Sequence, residues 1–476
     1  MRHPLPSAVV VGLAIVVAVV CWLPDRRLSS PVNLLLVGLA TAITVVARRS
    51  DPWRHRVLVV VVATTALAGL RAESVWDGLH PRQVGPFAGW AQVIGDPQPF
   101  PSATRAVVEI DGERFEHWAR GRARRLRVGA WLDGDRLLIS GTREELEPGR
   151  QLRVASQHVV GELELDWVAE LVPGAPLDRA SNRVRAVLRR GSEALPATDA
   201  ALFRGLVLGD DSDQPPEMIG RFRASGLSHL TAVSGQNVGF LLAAAGPLIR
   251  RFRPVARWAA TVALIGWFVA MTRFEPSIVR AGAMAALSAT AFALGRERHP
   301  ARILCLAVIG LLLVDPLLSR SVGFWLSAGA TAGVTTVGPW LADRLRVLGL
   351  LATPIGITLG AQVGVLLPAV IVFGSVPLVS IPANLLAVPV AGLVMLYGLP
   401  AGLLSGALPW SAPVLMLPCR IGVRWVDVVA GLGERLEPGG RATWAGWLVV
   451  VGVVGVLVAG RAGKNRSADG CAPPDR

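Results

Sequence analysis

Apolar residues run in long stretches along most of the chain, and polar punctuation separates them. Three such stretches open it (8–23, 31–47 and 57–70). Nine more occupy its second half: 229–249, 258–272, 277–294, 303–319, 321–341, 351–373, 379–405, 411–430 and 443–460. A bilayer core takes about 20 apolar residues of helix, so the pattern predicts a polytopic α-helical membrane protein of about 12 spans. The first run is short and follows Arg2, as in a signal peptide; the two runs directly behind it favour a true span. Arginine-rich links alternate with the spans: Arg48, Arg49, Arg54 and Arg56, then RRFRPVAR (250–257), GRERHPAR (295–302) and ADRLR (342–346). Basic loops stay on the cytoplasmic side, which places both termini there. The weakest stretch is 397–442, because Arg435 and Arg441 then fall outside.

Residues 71–177 differ in character. Turn signals recur (GDPQP, IDGER, LDGDR, EPGR), and between them AVVEID, WLDGDRLLIS and RVASQHVVGEL read as strands. Short strands with this punctuation predict one small β-rich OB-like domain, outside the membrane. Its RGRARRLR run carries Arg120, Arg122, Arg124, Arg125 and Arg127, either a solvated strand or loop face or a grip for phosphates. Residues 178–228 read as amphipathic juxtamembrane helices. DRASNRVRAVLRRGSEAL puts Val184, Val187, Leu188 and Leu195 on one side, and ATDAALFRGLVLGD ends at Gly209. Asp210, Asp211 and Asp213 then cluster in DDSDQPP, a solvated turn capping the next helix or an oxygen site for a divalent cation. The expected organisation is therefore 1–70 helical, 71–177 β, 178–228 juxtamembrane, 229–460 transmembrane and 461–476 a disordered cytoplasmic tail.

Composition narrows the chemistry. Of 476 residues, 52% are hydrophobic and 17% charged, against about 25% charged in ordinary soluble proteins. The net charge is +14, and Lys464 is the single lysine. A basic excess fits cytoplasmic loops, with attraction to a polyanion as the other reading. Four cysteines, none within 71–177, give no disulfide framework or CxxC pair. Seven scattered histidines form no HxH or HxxxH motif, and neither a nucleophile elbow nor a phosphate loop is present. No cofactor, no metal and no ATP-driven motor activity are expected of the chain.

Polar groups within a span normally face a cavity or another helix. The densest set lies in SGLSHLTAVSGQNVGF: Ser228, His229, Thr231, Ser234, Gln236 and Asn237, with Gly226, Gly235 and Gly239. It reads either as glue between helices or as a broken helix lining a water-filled path. In FEPSIVRAGAM, Ser277 and Arg280 share a helical face three residues apart, close to Glu275. Arg280 either snorkels to the surface or lines a path for anions. Ser327, Gln362 and Asn384 stand alone in strongly apolar spans, and Pro368, Pro382 and Pro389 kink or break helices nearby.

The block GLVLGDDSDQPPEMIGRFRASGLSHLTAVSGQNVGFLL resembles the signature of ComEC-type competence proteins. The likeness continues through FEPSIVRAGAMAAL, DPLLSRSVGFWLSAGATAG and LGAQVGVLLPAVIVFGSVPLVSIPANLLAVP, over about 200–395. It implies a channel in the cell membrane that carries single-stranded DNA into the cytoplasm during natural transformation. It also implies an outer OB-like domain that meets DNA, and a separate DNA receptor, ATP-driven motor and nuclease; a homo-oligomer is compatible with it. The path would then be lined by Ser228, His229, Thr231, Ser234, Gly235, Gln236, Asn237, Ser277, Arg280, Ser327, Gln362 and Asn384. In the outer domain Trp90, Trp118, Trp131 and Trp167 are stacking candidates beside the arginine run. Two departures stand out. Asn237 sits where the family commonly has a histidine, and Asn cannot titrate. The metallo-β-lactamase-like domain of many members would need an HxHxDH cluster, which is missing here, so the chain is not expected to be an enzyme. The competing readings are a small-solute or lipid transporter, for which internal repeats are not visible, and a membrane hydrolase using Asp210, Asp211, Asp213 and His229.

Overall fold

The computed structural model describes residues 7–22, 54–231, 235–296 and 299–469. Helices α1 (Ser7–Trp22) and α2 (Arg54–Asp77) come first. The apolar run at 31–47, with Arg48 and Arg49, lies outside the described residues. α2 continues past 70 because RAESVWD holds no breaker before Gly78. The β domain follows with β1 (Gly85–Pro99), β2 (Ala103–Ile110), β3 (Glu113–Arg120), α3 (Arg122–Val128), β4 (Arg136–Glu145), α4 (Pro148–Val154) and β5 (Val159–Val172). Then come α5 (Pro176–Ser192), α6 (Ala197–Leu208), α7 (Pro216–Ala224), α8 (Gly235–Ile249), α9 (Pro254–Met271), α10 (Pro276–Ala293) and α11 (Pro300–Val314). The remaining helices are α12 (Val322–Ala332), α13 (Gly338–Arg344), α14 (Ala352–Phe373), α15 (Ser380–Ala407), α16 (Leu417–Leu436) and α17 (Gly440–Asp469).

The chain divides into two compact units, Met1–Val187 with Gly246–Phe324, and Leu188–Ala245 with Trp325–Arg476. The first unit holds a small β-barrel. Its strands close in the order β1-β2-β3-β5-β4, with β3 and β5 parallel and the other neighbours antiparallel. β1 serves both β2 and β4, and an irregularity between Ile94 and Gln98 bends it from one partner to the other. Alternation drives Val93, Val108, Ile110, Phe115, Leu137, Ile139 and Leu163 into the interior. His117 is buried there, with Nδ1 3.0 Å from the Leu163 carbonyl, and burial pushes its imidazole below the ordinary 6.5. The arginine run corrects one expectation: Arg122–Val128 is a short helix rather than a strand or loop, as Ala, Leu and Arg favour.

Helices dominate the rest. Among the described residues, five helices are long and apolar enough to cross a membrane: Val59–Asp77, Pro254–Met271, Arg346–Phe373, Ser380–Ala407 and Gly440–Leu457. Val9–Trp22, Gly235–Ile249 and Pro300–Val314 are shorter apolar helices. The expected count of about 12 is not confirmed, for local reasons. The run at 303–319 stops at Val314, where the Asp315 carboxylate accepts the Leu317 N–H and starts a new turn. The run at 321–341 is divided by a π-helical turn, Gly333–Val337. The run at 411–430 becomes α16, which carries Arg420, Arg424, Asp427 and Glu434 and is amphipathic. Part of the expected disordered tail is helical, since α17 reaches Asp469.

In the second unit, α12, the π turn and α13 lie against α14 at backbone contact. A Cβ on Gly333 would overlap the Gly360 carbonyl oxygen, and one on Gly364 would overlap that of Gly329. Apolar side chains gain nothing by leaving lipid for a neighbouring helix, so small residues that permit close approach hold such pairs together. The hydroxyls of Thr331, Thr335 and Thr336 donate to carbonyls four residues back, at 2.9, 2.7 and 2.6 Å, supporting the widened turn. Gly360→Leu is expected to prevent this approach, since overpacking costs about 1–3 kcal/mol. It should lower the thermal midpoint and the monodisperse yield in detergent, whereas Gly310→Ala, where a Cβ meets open space, should change neither.

Candidate functional site

Three polar arrangements stand out. The first is the outward side of β2 and β3. Trp118 faces out from β3, and Phe100, 41% exposed, packs against it at a 48° tilt with ring centroids 5.1 Å apart. The Arg150 guanidinium lies 5.0 Å over the Trp118 ring. It is held there by Glu116, fully buried, whose carboxylate also takes Arg105, both contacts at 2.6 Å. Arg125 of α3 donates to the carbonyls of Pro101 and Phe100 at 3.2 and 3.4 Å, fixing the loop that presents the ring. Arg120, Arg122, Arg124 and Arg127 are exposed around it. Of the other tryptophans, Trp131 is core, Trp90 lies exposed under Arg136 at 5.1 Å, and Trp167 is exposed on β5. Phe100 and Arg150 were not legible as partners of Trp118, because 18 residues and 32 residues separate them from it in sequence.

The second arrangement ties the barrel to the helices of its own unit. Arg273, in the turn between α9 and α10, adopts a left-handed φ of 60°, and so does Phe274 at 55°. Its guanidinium donates to Asp96 and Asp133 at 3.0 Å each and to Asn182 at 2.6 Å. Arg185 of α5 adds a 2.8 Å contact to Asp96. Burial holds the Asp133 carboxyl above the ordinary carboxylate range, against the opposing pull of Arg273 and the Gly95 N–H. Arg280, in the same unit, is 4% exposed and donates to Met284 Sδ at 3.0 Å. It is packed in protein and does not snorkel. Ser277, one turn before it, is half-buried.

The third arrangement lies in the second unit, around Ser380 at the start of α15. Gln362 Nε2 donates to Ser380 Oγ at 2.9 Å, Ser380 Oγ donates to the Pro377 carbonyl at 2.6 Å, and Asn384 Nδ2 donates to the Ser380 carbonyl at 2.6 Å. Gly226, at φ 73°, presses directly on Ser380, where a Cβ would sit 2.6 Å from the serine Cβ. Glycine is the residue that takes this backbone without strain. Gly226, Gln362 and Asn384, far apart in sequence, thus meet at one serine that the sequence did not single out.

Nearby, α6 is buried along most of its length, including Arg204. Arg204 donates to Ser192 Oγ and to Asp213, both at 2.9 Å, and Arg189 also contacts Asp213. The carboxylates of 210–213 therefore do not cap α7, whose N-cap is Pro215; Asp213 neutralises a buried arginine instead. No group of three or more His, Cys, Asp or Glu among the described residues is arranged to hold a metal. Asn237 is buried and its Nδ2 lies 3.5 Å from the Leu206 carbonyl. Thr231 Oγ1 donates to the Ser228 carbonyl at 3.1 Å. Ser228, His229 and Gln236 are exposed, Gly235 begins α8, and Ser327 is half-buried on α12. Ser234 lies outside the described residues.

The pattern that defines the Competence protein family matches residues 206–464, from the end of α6 into α17. The chain belongs to that family. An uncharacterized protein of Escherichia coli K12, YcaI, is 32% identical over 210 residues, 40% of this chain and 27% of that protein. ComE operon protein 3 of Bacillus subtilis 168 is 28% identical over 198 residues, 41% of this chain and 25% of that protein. The matches thus cover about a quarter of each relative's length. No solved structure matches the chain. The Ser380 cluster lies wholly within the competence-family region, and so do Arg273 and Arg280 of the second arrangement.

The arginine tie makes a pH-dependent prediction. In Arg273→Gln, Asp133 keeps its burial and loses its cation, so its carboxyl rises further. The carboxylate is then the costly form, and stability is lost as pH rises through that pKa. The deficit in thermal midpoint against the unsubstituted chain should be larger at about pH 7 than at about pH 5.

Proposed function

We propose that this chain is the membrane component that passes single-stranded DNA into the cytoplasm during natural transformation. The observation that carries the proposal is the competence-family match across 206–464, where polar side chains gather inside an otherwise apolar helical unit. One of the two relatives takes its name from a ComE operon, which supports a role in competence.

In this reading the barrel is an OB-type domain outside the membrane. Its strand order supports that assignment, and so does the position of its aromatic and arginine groups on the β2–β3 side, the face such barrels use for oligonucleotides. Phe100 and Trp118 offer flat surfaces on which bases stack, and Arg150, Arg120, Arg122, Arg124 and Arg127 supply positive charge for phosphates. Strand degradation, surface capture and the driving force fall to partner proteins. Gln362 and Asn384, half-buried beside Ser380, and the exposed Ser228, His229 and Gln236 supply polar groups for a translocating strand in a low-dielectric setting.

The test is uptake of labelled DNA in a naturally transformable host lacking its own copy of the gene and complemented with this chain. Complementation should restore internalisation, and deletion should abolish it while DNA still binds the cell surface. Unchanged internalisation in the deletion strain would refute the proposal. Stacking is worth about 1–3 kcal/mol per base, so the double variant Phe100→Ala/Trp118→Ala should bind an oligonucleotide at least about tenfold more weakly. Its binding should also keep a steep salt dependence, because the arginines remain.

A further inference from the structure

α16 was expected as an apolar span, and it is not apolar. It nonetheless runs antiparallel to α15, in contact from the head of that helix as far as Tyr397. Tyr397 Oη donates to the Leu415 carbonyl at 3.0 Å, Gly422 packs on Val394, Trp425 Nε1 donates to the Leu386 carbonyl at 3.0 Å, and the Val379 N–H donates to Glu437 at 3.1 Å. α15 is long and apolar enough to cross a membrane; in the translocation reading α16 therefore lies beside its first two thirds at membrane depth.

Three stripes at helical spacing divide the surface of α16. Cys419, Val423, Val426, Ala430 and Gly433 are buried. Leu417, Ile421, Trp425, Val428 and Leu432 are exposed and apolar. Arg420, Arg424, Asp427, Gly431 and Glu434 form the third stripe, about 21 Å long at 1.5 Å per residue. This third stripe looks toward α6 and α7. Asp199, at the start of α6, takes Arg424 at 3.0 Å and Arg420 at 4.0 Å. Asp427 pairs with Arg221 of α7 at 3.0 Å. A Cβ on Gly431 would meet only Arg221 Cδ, at 4.0 Å. The arginines at 420 and 424 keep about half their side-chain surface exposed, 44% and 55%.

Exposed guanidinium groups at membrane depth require water, since hydrocarbon solvates them poorly. Two arginines share the one carboxylate of Asp199, so this end of the stripe has a positive charge for a further anion, while Glu434 makes the other end negative. We infer that the charged stripe of α16, with Arg221, is the wall of a hydrated groove, and that the phosphate backbone of the entering strand runs along it and contacts Arg420 and Arg424. This rests on the translocation reading above. It places part of the strand's path on a helix beyond the sequence blocks of about 200–395 and still within the family match.

The test uses the full chain in membrane vesicles, with Cys21, Cys305, Cys419 and Cys471 replaced and a single cysteine introduced. Gly431→Cys probes the groove and Val428→Cys the apolar stripe. The reagent is a negatively charged, membrane-impermeant methanethiosulfonate. Thiols react as thiolates, which form in water, so position 431 should react about tenfold or more faster than 428. A single-stranded oligothymidylate should slow the reaction at 431. Arg420→Gln/Arg424→Gln should remove that protection, while Arg420→Lys/Arg424→Lys, which keeps both charges, should retain it. Equal reactivity at 431 and 428 would overturn the hydrated groove, and fast reaction at 431 without protection would overturn the strand contact. Either result beside lost internalisation in the deletion strain rejects the α16 path alone; normal internalisation there rejects the translocation reading itself.

Discussion

A charge or hydrogen-bonding group inside an apolar helical unit has to find a partner, and the second unit is organised around that demand. α6 is buried almost all round, yet it carries Arg204, so Ser192 and Asp213 are drawn in beside it. Asp199 at the head of the same helix is matched by two arginines of α16. Ser380 receives Gln362 through its hydroxyl and Asn384 through its carbonyl. Removing one member of such a pair costs more than forming it gains, because the survivor stays desolvated. The polar residues of the unit are therefore interdependent, and its helices are bound to one relative placement by chemistry as well as by shape.

The barrel follows a different logic. Its interior is apolar by simple alternation apart from His117. Glu116 organises one face: fully buried on the outward side, it holds Arg105 and Arg150 by its two oxygens. One of those arginines lies over Trp118. Positive charge and a flat aromatic surface are thus brought together by a carboxylate that no incoming ligand reaches.

Much of this was legible in the sequence, for identifiable reasons. Turn signals at IDGER and LDGDR delimit β-strands and GDPQP marks the bend within β1, so a small barrel could be expected between the early and later helices. The stop of α6 at Gly209 follows from the left-handed residue a helix end favours. The arginine run misled because charge density says nothing about backbone conformation; helix propensity was the better guide. The run at 411–430 looked like a span because hydropathy averages over all faces of a helix, and averaging hides a charged stripe. The meeting of Gly226, Gln362 and Asn384 was hidden for another reason. Each residue alone is an ordinary polar or small residue in an apolar stretch, and only the fold brings them to Ser380.

The triple striping of α16 constrains how that helix can move. Successive stripes are separated by about 100° of rotation, so turning the helix by a single step would carry Arg420 and Arg424 away from Asp199, Asp427 away from Arg221, and apolar side chains into their place. Rotation about its own axis is therefore closed to it. Sliding along the axis would break the same ion pairs and lift Gly422 off Val394. α16 is keyed to its neighbours in rotation and in height alike.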